Sequence, residues 1–482
     1  MTRQEHMPFA EALEAYRAQR MVPFHTPGHK AGKGAPSYMT RIMGEALPLD
    51  LGVMYALDDL FEPETYLKEA QELAAELYGA GHTFFSINGT TACIQAMILA
   101  NVNEGETIIL PREAHRSVMG GLILSGAVPV YMESVYSERE QVSFGPSKEA
   151  VYQAIDEHPE AKALFLINPS YYGIAGDIEP MIRYAHEKGL VVLVDEAHGA
   201  HLRFSKDLPK QALDCGADCV AQSTHKLTGS LTQTSMLHCH KEYRHTEQVA
   251  KAMALLQSTS PNYIFLASLD AARHQLYEKG QQLLEETLRL SRQLREQLNG
   301  LPGIFSFGKE ILHDAAVGGF DETKITIDFS GLGLSGKEAE RCLREQGIEV
   351  ELVHGSHVLV LLTLGDTKDS AEALYQACKT ISESFRGKKE SPAELPLPVP
   401  RAAVSPRAAW YAAKEPVSLE VSLHRIAGET ITYYPPGIPI ISPGERITEA
   451  VIQYIKEKQR QGYIPNGAQD STLQTIWVLQ EK

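Results

Sequence analysis

From about residue 60 to residue 240 the chain repeats one theme: a short apolar run, a turn, then a stretch with apolar positions at helical spacing. The runs at 83–87, 107–110, 128–132, 163–167, 191–194 and 219–222 are bounded by turn residues or charge and predict buried strands. Residues 67–78, 90–101, 115–124 and 180–188 predict helices between them. A short apolar run alone does not distinguish a strand from a buried helix, so the alternation carries the argument. It predicts an α/β domain with a mainly parallel sheet.

Beyond this region the pattern changes. Residues 267–298, rich in Leu, Glu, Gln and Arg, predict one long helix. Residues 324–329, 337–346, 358–362 and 370–385 then predict strand, helix, strand and helix, a smaller α/β domain packed beside the first. Residues 386–407 hold Lys-Lys-Glu and five prolines and read as an extended linker. The expected division is an N-terminal segment over 1–60, a large domain over 61–300, a small domain over 301–385, the linker, and a C-terminal domain over 408–482.

Composition narrows the class. A chain of 482 residues, 43% hydrophobic and 22% charged, has enough apolar surface for sizeable cores. A formal net charge of −16 argues against nucleic acid or an anionic membrane surface as a main partner, since both would repel it. Residues 1–20 are polar and lack the apolar core of a secretory signal, and no run approaches the roughly eighteen apolar residues of a membrane span. The six cysteines are scattered, unlike a disulfide framework, so a cytoplasmic protein is expected. Neither the Cys215/Cys219 pair nor His238-Cys239-His240 belongs to a four-ligand set with zinc spacing, and no metal is expected.

The chemistry sits at the ends of the apolar runs. Ser223-Thr224-His225-Lys226 directly follows one run, and Val194-Asp195-Glu196-Ala197-His198 closes another about thirty residues earlier. A strand-end lysine is usually just exposed; the carboxylate at the end of a second strand changes its meaning. Pyridoxal 5'-phosphate (PLP) chemistry needs a lysine to hold the cofactor's aldehyde and a carboxylate to keep its ring nitrogen protonated. Ligands of open α/β sheets bind outside the carboxyl ends of the strands, where both residues stand. Asn88-Gly89-Thr90-Thr91, between a strand and a helix, offers backbone N–H groups and hydroxyls to a phosphate, although alone it is also an ordinary helix cap. Ser223 and His225 flank the lysine within reach of the same phosphate. His115, at the start of a helix, is placed to stack on the cofactor ring and to deliver a proton.

This ordered set resembles the fold-type I, aspartate aminotransferase-like PLP enzymes. Two further motifs, His25-Thr26-Pro27-Gly28-His29-Lys30 and Tyr434-Pro435-Pro436-Gly437-Ile438-Pro439 with Pro443-Gly444-Glu445, resemble the bacterial ornithine/lysine/arginine decarboxylases. The resemblance spans about residues 20–475 and is strongest to the short arginine decarboxylases of polyamine synthesis, which lack an N-terminal wing domain. It implies that Lys226 carries the cofactor, Asp195 pairs with the ring nitrogen and His115 stacks on the ring. It further implies that Thr90, Thr91, Ser223 and His225 hold the phosphate, that His198 lies near the phenolic oxygen, and that Glu445 meets the distal cation of the substrate. It implies a homodimer, or a higher homo-oligomer, with the site at the subunit interface. The segment 25–30 reads either as part of the site's mouth or as a rigid turn.

The reaction so implied is decarboxylation of a basic amino acid: arginine to agmatine and CO₂, with lysine and ornithine as alternative substrates. Glu445 or Asp470 is a candidate partner for any of their cations. The same scaffold serves aminotransferases and aldolases. An aminotransferase would present a late arginine to clamp the α-carboxylate, and residues 350–384 contain none. A non-catalytic PLP-binding regulator is disfavoured by the complete set of lysine, aspartate, phosphate loop and histidine.

Overall fold

The computed structural model describes residues 3–385, 395–433 and 437–481. At its centre is a seven-stranded sheet in the order His82–Ser86, Ser235–Cys239, Cys219–Gln222, Val191–Asp195, Ala163–Ile167, Thr107–Pro111, Val128–Met132. The five strands from Cys219–Gln222 onward are parallel to one another. Ser235–Cys239 runs antiparallel to both of its neighbours.

The strands read as continuous apolar runs because both faces of the sheet are covered. Successive side chains alternate between two cores. Ile109, Leu164, Val192, Val194 and Val220 enter one, beneath the helices Tyr66–Tyr78 and Ile178–Glu187. Ile108, Leu110, Phe165, Leu193 and Ala221 enter the other, with the helices Gly89–Asn101, Arg116–Ser125 and Thr246–Leu256.

The antiparallel strand Ser235–Cys239 has no counterpart in the sequence reading, because His238 interrupts its apolar pattern. The structure buries that histidine completely and uses both ring nitrogens, on the Thr83 hydroxyl (2.8 Å) and the Gln222 carbonyl oxygen (3.1 Å). Burial pushes its pKa down to about 3, so the ring is neutral in the core.

The helix Tyr263–Asn299 is about 55 Å long at 1.5 Å per residue and joins two cores. Tyr263, Leu266, Leu269 and Leu276 pack against the main sheet, whereas Leu290, Leu294 and Leu298 pack in the smaller unit. That unit holds the antiparallel strands Lys324–Asp328, His357–Leu361 and Leu352–His354 under the helices Gly336–Arg344 and Lys368–Ser384. At the other end of the long helix, buried Asp270 accepts the N–H groups of Phe9 and Ala10, and Arg273 donates to the Gln4 carbonyl, anchoring the helix Pro8–Ala18.

Of the expected linker, 386–394 lies outside the described residues. Its remainder is partly structured: Ala402 bridges to Glu445, and Ser405 caps the helix Pro406–Tyr411, which packs on Arg116–Ser125. The last unit pairs Lys414–Ser418 with Thr475–Leu479 and Ile431–Tyr433 with Ile438–Ile441, and folds the helix Glu449–Arg460 over them. Among the described residues no helix is long and apolar enough to cross a membrane.

Candidate active site

A cavity of about 310 Å³ opens at the carboxyl ends of the parallel strands. Thr90, Thr91, His115, Asp195, His198, Ser223, His225 and Lys226 all line it, so eight of the nine residues singled out in the sequence come together. The ninth, Glu445, does not.

Strand geometry places the two ionisable groups at one end of the cavity. Asp195 is the last residue of its strand; its Oδ1 accepts the Ala197 N–H (3.0 Å), and burial raises its pKa against the pull of that bond and of Lys226. Glu196, one residue on, turns the other way into the core. There its carboxylate accepts from Asn168 Nδ2 (2.8 Å), Gln222 Nε2 (2.7 Å) and the Ala212 N–H (2.7 Å), and burial pushes its pKa up to about 8.

Lys226 follows the adjacent strand in the single turn Thr224–Leu227. Burial lowers its pKa, resisted by the charges of Asp195 and Glu351. Its Nζ lies 2.8 Å from His198 Nε2 and 5.4 Å from the centre of the Tyr171 ring. His198 is held well below its ordinary pKa, first by burial and then by Lys226 and Lys324. It is therefore the acceptor in this contact, which leaves its Nδ1 buried without a partner. Lys324, ion-paired with Asp321, donates to the His198 carbonyl (2.9 Å) and ties the small unit to this wall.

The phosphate-type subsite lies alongside. The helix Gly89–Asn101 begins with no side-chain cap, because Asn88 turns away to donate to the Leu256 carbonyl. The Gly89 N–H donates to the Gln233 carbonyl (2.8 Å), so the N–H groups of Thr90 and Thr91 and the positive dipole end are left for an anion. The Thr90 hydroxyl stands 2.5 Å from that of Ser223 and 2.6 Å from that of Ser235. His225 Nδ1 donates to the Thr234 carbonyl (2.7 Å), leaving Nε2 as the ring's other polar atom. An uncapped helix end, clustered hydroxyls and a desolvated lysine beside a buried aspartate fit the phosphate, aldehyde and ring nitrogen of PLP.

His115 caps its own helix. Its Nδ1 accepts the Ser117 N–H (3.2 Å), so the neutral ring carries its proton on Nε2. Burial, followed by the charges of Lys226 and Arg116, pushes its pKa down to about 4.

Glu445 does not line the cavity of the single chain; it is paired with Arg112 instead. Its two oxygens accept both terminal nitrogens of Arg112, at 2.5 and 3.1 Å, and Oε2 also accepts the Ser442 N–H (2.8 Å). Both side chains of this pair are 2% exposed. Asp470 caps the turn that leads into the final strand, through Thr472 and Thr475. The segment 25–30 does not line the cavity; His29 bonds to Asp50 (3.2 Å). Tyr434-Pro435-Pro436 lies outside the described residues.

Sequence reasoning passed over three cavity residues. Tyr171 packs on His198 with ring centres 4.4 Å apart, and Tyr172 lines the far wall. Their signal is the polar turn Asn168-Pro169-Ser170 at the end of a buried strand, the same position that marks Asp195. The third is Glu113, whose carboxylate accepts from the Ser134 (2.6 Å) and Ser143 (2.7 Å) hydroxyls.

Residues 7–370 match the family described as Orn/Lys/Arg decarboxylase, major domain, and residues 389–463 match its C-terminal domain. The chain is 42% identical to an arginine decarboxylase of Halalkalibacterium halodurans over 100% of this chain and 99% of that one. It is 41% identical to the arginine decarboxylase of Bacillus subtilis over 99% of each. The Francisella novicida lysine decarboxylase LdcF superposes with a TM-score of 0.85 at 21% identity, covering 98% of this chain and 81% of that one, which shows the fold.

Proposed function

The chain belongs to the Orn/Lys/Arg decarboxylase family, and from that premise we propose that it converts L-arginine to agmatine and CO₂ with PLP as cofactor. The observation that carries this reading is the cavity itself, where Lys226, Asp195 and an uncapped helix end meet in a chain alike over its full length to arginine decarboxylases.

When bound, PLP supplies an electron sink for the bonding pair released as the Cα–carboxylate bond breaks. Lys226 would hold its aldehyde. Its lowered pKa supports this role, since the free amine is the nucleophilic form. Asp195 would keep a proton on the ring nitrogen, and its burial strengthens that ionic contact. Thr90, Thr91, Ser223 and His225 would hold the phosphate and so fix the plane in which the other groups work. The enzyme must keep the scissile carboxylate perpendicular to that plane, an orientation that binding energy from the distal cation can supply. His115 Nε2, or the Lys226 amine once released, would then place a proton on Cα. His198, bonded to Lys226 Nζ, would orient that amine.

The exposed apolar side chains Met21, Val22, Phe24, Tyr38, Ile42 and Tyr55, gathered within one N-terminal stretch of the chain, support a homodimer, because exposed apolar surface favours a partner. Six unpaired cysteines support a reducing, cytoplasmic setting. The test is to purify the protein with PLP, record its visible absorbance, and assay CO₂ and amine from arginine, lysine and ornithine. Agmatine from arginine, with lysine and ornithine slower, is expected. Cofactor absorbance without CO₂ from any of the three would overturn the decarboxylase reading.

A further inference from the structure

We propose that Glu113 is the residue that recognises the distal cation of the substrate, and that it is set to take a guanidinium. The inference rests on the decarboxylase reading above and names the specificity residue of that same cavity.

Only two carboxylates stand among the described residues lining the cavity, Asp195 and Glu113. Asp195 lies at the lysine end. Glu113 comes two residues after the strand Thr107–Pro111, which is separated from Val191–Asp195 by one intervening strand. Two interstrand spacings put their strands about 10 Å apart. An acidic group at that remove from the chemistry is where an extended basic amino acid would end.

The surroundings of Glu113 fix its orientation. Its two oxygens each accept one serine hydroxyl, Oε2 from Ser134 and Oε1 from Ser143. Among the described residues no lysine or arginine forms an ion pair with it; adjacent Arg112 is bound to Glu445. A carboxylate offers about four lone-pair sites, so two serine bonds leave one on each oxygen. Two parallel acceptors in a fixed plane match the fork of a guanidinium better than the point charge of an ammonium. Glu113 also borders a second, smaller cavity that it shares with Ser143 and Tyr172, which marks it as the end wall of the first.

The experiment compares Glu113→Gln and Glu113→Asp with the wild-type holoenzyme. It measures arginine kcat and KM, the visible absorbance of bound PLP, and inhibition by norleucine, which shares the α-amino acid end but carries no distal charge. For Glu113→Gln the expected result is a fall in kcat/KM for arginine of roughly 30-fold or more, with KM raised and kcat lowered, because the same contact orients the scissile carboxylate. PLP absorbance is retained and the norleucine inhibition constant stays within about threefold. Glu113→Asp keeps the charge but withdraws it by one methylene, so part of the arginine activity returns. An arginine kcat/KM within about threefold of wild type in Glu113→Gln, or equal losses for arginine and norleucine, would overturn the proposal. So would a Glu113→Asp as poor as Glu113→Gln. If wild type itself decarboxylates none of the three amino acids, the reading of the function falls and takes this proposal with it. A wild type active on arginine beside an equally active Glu113→Gln sinks this proposal alone.

Discussion

The two ends of the cavity are built differently. At the lysine end, Asp195 and Lys226 are the last residue of one strand and the fourth residue after the next, and Thr90 is the second residue of the helix that follows a third. Each position follows from local pattern and from the parallel sheet. At the far end, Glu113, Ser134 and Tyr172 come from separate turns and loops, Ser143 from the short strand Val142–Gly145 and Ile438 from the C-terminal unit, and only tertiary packing brings them together. Reactive groups tied to strand ends inherit the regularity of the sheet. Groups that read the substrate sit on loops, where one scaffold can be refitted to a different side chain.

Mutations test that contrast, and the largest effects belong to the lysine end. Lys226→Ala is expected to abolish the visible absorbance of bound PLP and to lower kcat/KM by about four orders of magnitude, measured by CO₂ release. Asp195→Asn is expected to keep the absorbance while kcat falls about 10²–10³-fold, because a charge aimed at the ring nitrogen is lost but its shape is kept. An Asp195→Asn as active as wild type would break the assignment of this end.

Outside the cavity, Glu445→Gln leaves the buried Arg112 charge without its counter-ion and is expected to cost about 3–5 kcal/mol of stability. A lowered denaturation midpoint with an unchanged KM for arginine would check this. A raised KM at full stability would return Glu445 to the substrate and reverse the comparison.

The smallest effect concerns His115. Its folded pKa of about 4 lies below the ordinary value of 6.5, so the unfolded chain binds more protons between those two pH values. Stability therefore falls as pH drops through that window, by about 1.4 kcal/mol per unit from this group. In cofactor-free protein, His115→Gln is expected to flatten the acid limb of the midpoint–pH curve relative to wild type.

Much of this was legible before the structure. The strands at 128–132, 163–167 and 219–222 begin and end as expected, because apolar runs covered on both faces have sharp edges. The antiparallel strand Ser235–Cys239 was hidden by a histidine whose polarity is cancelled by two core partners. The helices Lys148–Glu157 and Thr246–Leu256 also went unassigned. Among the candidate residues, Asp195 was separable from Glu196 only through the chemistry expected of it; in the structure, side-chain alternation sends one to the cavity and the other to the core. The bond between Glu445 and Arg112 was not legible, because nothing in linear sequence links two residues more than three hundred positions apart.

That salt bridge also decides how the chain can be cut. The family matches divide it into two stretches, 7–370 and 389–463, which invites separate expression of the pieces. A fragment ending before residue 395 would keep Arg112 stacked on Tyr131 but lose Glu445 and the Ile440 carbonyl, its only described hydrogen-bond partners. A bare guanidinium would then lie three positions from His115, in the wall of the second, smaller cavity. The two stretches are separable on paper, but as polypeptides they share one buried electrostatic keystone.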